Sequence, residues 1–122
     1  MGQPVVHFEV IGKDPDKLRS YYSELFGWEF GSPVGPTDYT VIERYTNPAG
    51  IGIGGGIGGV PEAYEGHVTF YVEVPDVEAS LAQAEALGGK RVMGPDQVPG
   101  GPEIGLLVDP GGHVIGVVSA AG

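Results

Sequence analysis

The 122-residue sequence contains no cysteine. Disulfide bonds and thiolate chemistry are therefore excluded, and a reducing cytoplasm is the expected compartment. Long apolar runs are also missing, so the sequence predicts no membrane-spanning helix. The N-terminus lacks the basic-then-apolar pattern of a signal peptide, which again favours a cytoplasmic protein.

Basic residues are scarce, with 6 Lys and Arg against 16 Asp and Glu and a formal net charge of −10. Nucleic acids and anionic membranes attract basic surfaces, so neither is an expected partner. A cationic small molecule fits this charge better. The alternative is that the acidic surface serves solubility alone.

The most informative pattern present is an internal repeat. Residues 47–54 align without a gap with residues 109–116, and both segments begin with Asn or Asp followed by Pro. A similar offset of about 60 residues relates His7, near the start of the first copy, to His67 in the second. A duplicated module predicts two similar units whose paired residues converge on one cleft.

Each copy begins with a strand and a helix. Residues 5–11 and 67–74 alternate between apolar and polar side chains, as strands do. Asp14 and Asp76 are helix N-caps, and Gly27 and Gly88 end the helices. The apolar stripes of the two helices are expected at Leu18, Tyr21, Tyr22 and Leu25, and at Val77, Leu81, Ala84 and Leu87.

Three shorter strands follow each helix. They are predicted at 28–31, 39–46 and 51–57 in the first copy and at 91–93, 104–108 and 113–119 in the second, with loops at 32–38 and 96–102. The fold class is therefore α+β, with two tandem βαβββ modules that form a cupped mixed β-sheet. We expect a single domain over residues 1–122, in which modules 4–58 and 66–119 are joined by a connector at 59–65.

The first strand of each module has one polar face. A helix must cover the apolar face of its sheet, which leaves the opposite face free to line a cleft. A register slip by one residue would invert this assignment. The side chains expected on the free face are His7, Glu9, His67, Thr69, Tyr71 and Glu73.

This ordered set of features resembles a known superfamily. The tandem modules, the early His in each, Phe26-Gly27-Trp28 after the first helix and Asp109-Pro110 before the last strand are similar to the vicinal oxygen chelate proteins. That group includes glyoxalase I, extradiol dioxygenases, fosfomycin-resistance enzymes and bleomycin-resistance binding proteins. The resemblance covers nearly the whole chain and implies the glyoxalase/bleomycin resistance fold and a homodimer.

The resemblance also implies where a metal would bind. The superfamily's metal enzymes carry ligands on the first and last strand of each module, and His7 and His67 match the first-strand positions. Gly54 and Gly116 stand where Glu is usual on the last strands. Since two imidazoles alone are a poor divalent-metal site, we expect no standard metal site and no cofactor.

The leading hypothesis is a glyoxalase/bleomycin-resistance-like protein that binds a small organic molecule, cationic or aromatic, in a cleft between the modules. The alternative is a divalent-metal-dependent enzyme of the glyoxalase or extradiol dioxygenase type that uses His7 and His67, with Glu9 or Glu73 completing the shell. Catalysis is left open, with His7, His67 and Glu9 as its candidate residues. The candidate ligand-binding residues are His7, Glu9, Gly54, His67, Thr69, Tyr71, Glu73 and Gly116.

Two features of these candidates have alternative interpretations. Gly54 and Gly116 either widen the cleft or allow close packing of strands. Among the aromatic residues, Tyr64 and Tyr71 are favoured as pocket-lining, whereas Trp28 is favoured as core.

Overall fold

The computed structural model describes residues 2–60 and 63–120. These residues form seven strands and two helices, which confirms the α+β class. The elements are β1 Val5–Ile11, α1 Pro15–Phe26, β2 Thr40–Ile42, β3 Gly54–Gly58, β4 His67–Val74, α2 Val77–Ala86, β5 Lys90–Gln97, β6 Glu103–Val108 and β7 Val114–Ser119. Neither helix in this described part of the chain is long and apolar enough to cross a bilayer.

The chain divides into two compact units. The N-terminal unit comprises residues 7–68, and the C-terminal unit comprises residues 1–6 together with 69–122. Strands β1 and β4 each contribute residues to both units, because the division falls within them. The two units are described separately below.

The sheet of the N-terminal unit has the strand order β2-β3-β1. β1 runs parallel to β3 with His7 opposite Gly54, and β2 runs antiparallel to β3. α1 is capped as predicted: Asp14 accepts a hydrogen bond from the Lys17 backbone N–H, and Gly27 ends the helix with a φ of 75°. The core of this unit consists of Val10, Ile42 and Ile57 with Phe8, Leu18, Tyr22, Trp28 and Phe30 packed around them.

The predicted apolar stripe of α1 is half wrong. Leu18 and Tyr22 pack against the core, but Tyr21 and Leu25 are 58% and 55% exposed. Residues four apart lie on the same face of a helix, so the Leu18–Tyr22 row alone is enough to cover a narrow three-stranded sheet. The remaining apolar side chains of α1 therefore face outward.

The strands after α1 are shorter than predicted. Residues 28–31 form no strand, only a single bridge between Phe30 and Ile42, and the strand expected at 39–46 ends at Ile42. The turn at Asn47 is present as expected. Beside it, the Arg44 guanidinium donates to the carbonyls of Gly50 and Gly52. Side-chain hydrogen bonds there take the place of a strand ladder.

The sheet of the C-terminal unit has the order β4-β7-β6-β5, with β4 parallel to β7 and the other pairs antiparallel. Asp76 caps α2 by accepting from the Ala79 backbone N–H. The core is formed by Val74, Val77, Leu81 and Val117, with Val72 and Leu107 packed against them.

Two predictions in the C-terminal unit are wrong. Leu87 does not point inward: it is 72% exposed, because α2 ends at Ala86 and Leu87 is its C-cap. The strand expected at 91–93 extends over Lys90–Gln97, so the predicted loop at 96–102 begins too early. Its pairing with β6 shifts register around Met93, and such irregularity hides a strand from a period-two pattern.

Candidate functional site

The N-terminal unit gathers five polar side chains, which we call the polar cluster: His7, Glu9, Tyr39, Tyr64 and His67. Strand alternation accounts for the first two. Phe8 and Val10 of β1 pack in the core beneath α1, so His7 and Glu9 face the other way. The predicted register of β1 is therefore confirmed.

A hydrogen-bonded chain runs from Glu9 through His67 to Tyr64. The Glu9 Oε2 lies 2.6 Å from His67 Nε2, and the Tyr64 Oη lies 2.5 Å from His67 Nδ1. The side chains of His67 and Glu9 are 9% and 8% exposed, whereas Tyr64 is half-buried. The chain thus leads from a buried carboxylate to a more accessible phenol.

The bonding pattern fixes the donors when the imidazole is neutral. A carboxylate only accepts, so His67 Nε2–H donates to Glu9. His67 Nδ1 then carries a lone pair and accepts from the Tyr64 hydroxyl. Burial, and next the negative charge of Glu9, raise the pKa of the Tyr64 phenol above its usual range. Tyr64 is therefore protonated at neutral pH, as this donor role requires.

His7 and Tyr39 form a second pair. His7 Nε2 lies 2.9 Å from the Tyr39 Oη. The Tyr39 ring covers Gly56, where an added Cβ would lie 2.2 Å from the phenolic oxygen, and Gly56 stands opposite Glu9 in the sheet. The small residue at position 56 thus lets Tyr39 reach His7. Tyr39 is a member of the cluster that the sequence pattern did not single out.

Burial lowers the pKa of His7, and the nearby charge of Glu9 opposes this only in part. A histidine whose folded-state pKa is depressed binds fewer protons when folded than when unfolded. Its contribution to stability is therefore complete above the unfolded value of about 6.5 and declines as the pH falls below it.

We expect the free energy of unfolding to decline less between pH 7 and pH 5 in His7→Gln than in the wild-type protein, because the glutamine removes this protonation. Urea unfolding at each pH measures the slope. His113→Gln is the control, since His113 is exposed in the other unit. An unchanged slope in His7→Gln would show that His7 is not buried in its neutral form.

The two glycines predicted to widen the cleft have close neighbours. A Cβ on Gly54 would lie 3.1 Å from the Ile42 carbonyl oxygen, so this position allows close strand packing. In the C-terminal unit, Gly116 stands opposite Tyr71, and a Cβ there would lie 2.5 Å from the tyrosine ring. The space beside Gly116 is therefore occupied by the buried Tyr71 ring. Contact of either glycine with a ligand stays a prediction.

The remaining predicted site residues belong to the C-terminal unit. Thr69 is buried, and its hydroxyl donates to the Val114 carbonyl at 2.5 Å. Glu73 is half-buried, and its backbone N–H donates to the Pro4 carbonyl. Of the eight candidate residues, the structure thus places His7, Glu9, Gly54 and His67 in one unit and the other four in the second.

The structure corrects the alignment of the repeat. The helix N-caps Asp14 and Asp76 are 62 residues apart, and β1 and β4 begin the same distance apart, at Val5 and His67. The counterpart of His7 is therefore Thr69, and the pairing of His7 with His67 is wrong. The two helix caps already carried this offset in the sequence, whereas the two histidines lie two residues out of step with it.

This correction decides how well the cluster fits a metal. The four positions that the resemblance implies are His7, Gly54, Thr69 and Gly116, which supply a single imidazole. His67 does not complete the set, because both its ring nitrogens are hydrogen-bonded to protein groups. Nowhere among residues 2–60 and 63–120 do three His, Asp or Glu side chains come together as metal ligands would. The donor set does not fit a divalent ion.

Comparisons with known proteins agree with the fold. A glyoxylase-like domain-containing protein of Didymella fabae is 28% identical over 98 residues, which is 79% of this chain and 75% of that protein. A methylmalonyl-CoA epimerase of Streptomyces coelicolor, in complex with 2-nitronate-propionyl-CoA, superposes with a TM-score of 0.68 at 17% identity, covering 98% of this chain and 99% of that one.

A third similar structure is the 2,2',3-trihydroxybiphenyl 1,2-dioxygenase of Sphingomonas wittichii, with a TM-score of 0.64 at 16% identity over 96% of this chain and 42% of that one. At such identities these structures establish the fold alone. The model of the glyoxalase-like domain family matches residues 7–118, which is most of the chain. The protein therefore belongs to the glyoxalase-like domain family, within the vicinal oxygen chelate superfamily.

Proposed function

We propose that this protein binds a small organic molecule at the polar cluster and that it does so without a metal ion. The observation that carries the proposal is the state of His67, whose two ring nitrogens are both held by protein groups. A metal would have to displace Glu9 or Tyr64 from a buried hydrogen-bonded chain, at the cost of leaving a polar group without that partner. An organic ligand can approach the cluster without breaking it.

The chemistry of the cluster favours a cationic or polar aromatic ligand. Glu9 is a buried carboxylate, and the whole chain has a formal net charge of −10. Tyr39 and Tyr64 add phenolic oxygens that accept hydrogen bonds and ring faces that attract cations. Since a structural relative holds an organic acyl compound in its complex, a ligand of that size suits the fold.

The first arm of the test measures metal binding. Protein without an affinity tag is incubated with Zn²⁺, Ni²⁺, Mn²⁺ or Fe²⁺, desalted and analysed for bound metal. We expect no stoichiometric uptake of any of the four ions. About one tightly held ion per chain, lost in His67→Ala, would support the alternative of a metal-dependent glyoxalase or dioxygenase and contradict this proposal.

The second arm measures ligand binding with a matched pair of probes, benzyltrimethylammonium and benzyl alcohol, by the shift in thermal unfolding temperature. We expect the cation to stabilise the protein more than the neutral alcohol does. Glu9→Gln should remove this difference, since it deletes the charge and keeps the shape. Glu43→Gln deletes an exposed carboxylate of the same unit and should retain it. Equal responses of the two variants would place the binding elsewhere.

The finer parts of this function are proposals as well. A binding role of the bleomycin-resistance type, a homodimer and a cytoplasmic location are consistent with the family and with a chain that has no cysteine. Gel filtration with light scattering tests the dimer directly. A mass of one chain at micromolar concentration would contradict that part of the proposal.

A further inference from the structure

The backbone around Tyr64 is held in conformations that side chains rarely adopt. Ala63, immediately before it, has a φ of 73°, in the left-handed region that costs a residue with a Cβ about 1 kcal/mol or more. Gly66, two residues after it, has a φ of 106° and passes so close to β1 that a Cβ would lie 2.2 Å from the Ile11 carbonyl oxygen. Both conformations direct a short segment back toward the sheet.

The strained segment positions Tyr64 against His67. The phenol lies 2.5 Å from Nδ1, and the two rings meet edge to face at 5.6 Å between centroids. Strain of this kind persists only where the surrounding structure enforces it, and it is frequent at functional sites. A tyrosine that merely covered the surface would not need such a backbone.

The three groups have the order of a nucleophile, a base and an orienting carboxylate. Tyr64 Oη donates to His67 Nδ1, and His67 Nε2 donates to Glu9 Oε2. The base is buried and oriented by an even more deeply placed acid, while the phenol at the other end is accessible. This is the hydrogen-bonding logic by which a weak hydroxyl nucleophile is activated.

We propose that Tyr64 is a nucleophilic phenol that His67 activates and Glu9 orients, and that it reacts with small acyl donors carrying a good leaving group. The inference deepens the proposed small-molecule site and rests on it. It assigns Tyr64 as the residue that touches the substrate, and it makes Glu9 a positioning residue that acts through His67.

The reaction step balances within the chain and the substrate. The Tyr64 oxygen forms a bond to the acyl carbon while the phenolic proton moves to His67 Nδ1. The bond from the acyl carbon to the leaving group then breaks, and the imidazolium returns its proton to the departing group or to water. The products are O-acyl-Tyr64 and the free leaving group, with neutral His67 and the Glu9 carboxylate restored. Because Tyr64 is protonated at rest, the base must take the proton during the step.

The test is acetylation of the intact protein by 4-nitrophenyl acetate at neutral pH, followed by proteolysis and mass spectrometry of each tyrosine. Tyr21 is an internal reference, since it is more exposed than Tyr64 and has no imidazole hydrogen bond. We expect Tyr64 to be acetylated at least about tenfold faster than Tyr21, a modest share of the about 10²–10⁴-fold that a positioned base can contribute. Tyr64→Phe should abolish the fast acetylation.

Two further variants separate activation from mere accessibility. His67→Gly should reduce acetylation of Tyr64 to the rate of Tyr21, and added imidazole should restore part of it. Glu9→Gln should slow acetylation while leaving Tyr64 as accessible as before. Acetylation of Tyr21 in each variant shows whether the protein is still folded around α1.

Two results would overturn the inference. One is acetylation of Tyr64 no faster than that of Tyr21 in the wild-type protein, and the other is a fast rate that persists in both His67→Gly and Glu9→Gln. Neither result bears on the binding of benzyltrimethylammonium, so a failure of this inference is distinguishable from a failure of the proposed binding function. Conversely, fast acetylation without any cation binding would leave Tyr64 reactive and contradict the ligand class.

Discussion

His67→Ala is expected to lower the free energy of unfolding by about 3–5 kcal/mol, the range found when one partner of a buried ion pair is removed. The imidazole contacts Glu9 at 2.6 Å, and the two side chains are 9% and 8% exposed. Removing it leaves the carboxylate buried without this donor and also takes away the hydrogen-bond acceptor of Tyr64. The size of the effect measures how strongly the polar cluster is built into the unit.

His113→Ala is the matched control for this prediction. His113 also lies beside a carboxylate, at 3.1 Å from Asp109, but its side chain is 73% exposed. We expect it to change the free energy of unfolding by no more than about 0.5 kcal/mol, because exposed pairs contribute little. Urea unfolding at pH 7 measures both variants. Similar small losses in the two would show that His67 and Glu9 are not a buried pair.

Leu81→Ala is expected to destabilise the protein by about 2–5 kcal/mol, the range for truncating a large aliphatic side chain in a core. Leu81 is fully buried on α2, where it packs with Val77, Val74 and Val117. The deleted atoms leave a cavity that the surrounding strands fill only in part, which adds to the lost transfer free energy.

Leu87→Ala makes the same chemical change at the end of the same helix. Leu87 is 72% exposed, so the expected change in the free energy of unfolding is within about 0.5 kcal/mol. Denaturant unfolding of the two variants tests the correction to the predicted helix face. Equal losses at positions 81 and 87 would restore the original stripe and contradict the structure of α2.

Local chemistry made much of the fold predictable from the sequence. The helix caps at Asp14 and Asp76 and the Asn47 turn are each set by a side chain that bonds backbone groups within a few residues. Strand alternation likewise placed His7 and Glu9 on the polar face. Such features depend on near neighbours in the chain, so a pattern can reveal them.

The wiring of the site could not be predicted in the same way. The contact between Glu9 and His67 joins residues 58 positions apart, and Tyr39 reaches His7 across 32. Which side chains meet at these separations depends on strand register and on where the connector before β4 returns to the sheet. The sequence did favour Tyr64 as a pocket residue, but its partner became evident only from the folded chain.

The alignment of the two histidines failed for a related reason. An offset of about 60 looked adequate because the two turns and the two histidines nearly share it. A difference of two residues preserves the face of a strand but changes the position along it, so His67 took the place that belongs to Thr69. The ligand set expected from the resemblance therefore contained one histidine too many.

The measurement that tests the account most directly is ¹⁵N NMR of the histidine side chains during titration with Zn²⁺, with His67→Gln used for assignment. We predict a neutral His67 with its proton on Nε2, and ring nitrogens of His67 that do not shift when one equivalent of Zn²⁺ is added. A saturating shift of either His67 nitrogen at one equivalent would show that this imidazole is a metal ligand. That result would contradict the assignment of Glu9, His67 and Tyr64 to a metal-free site.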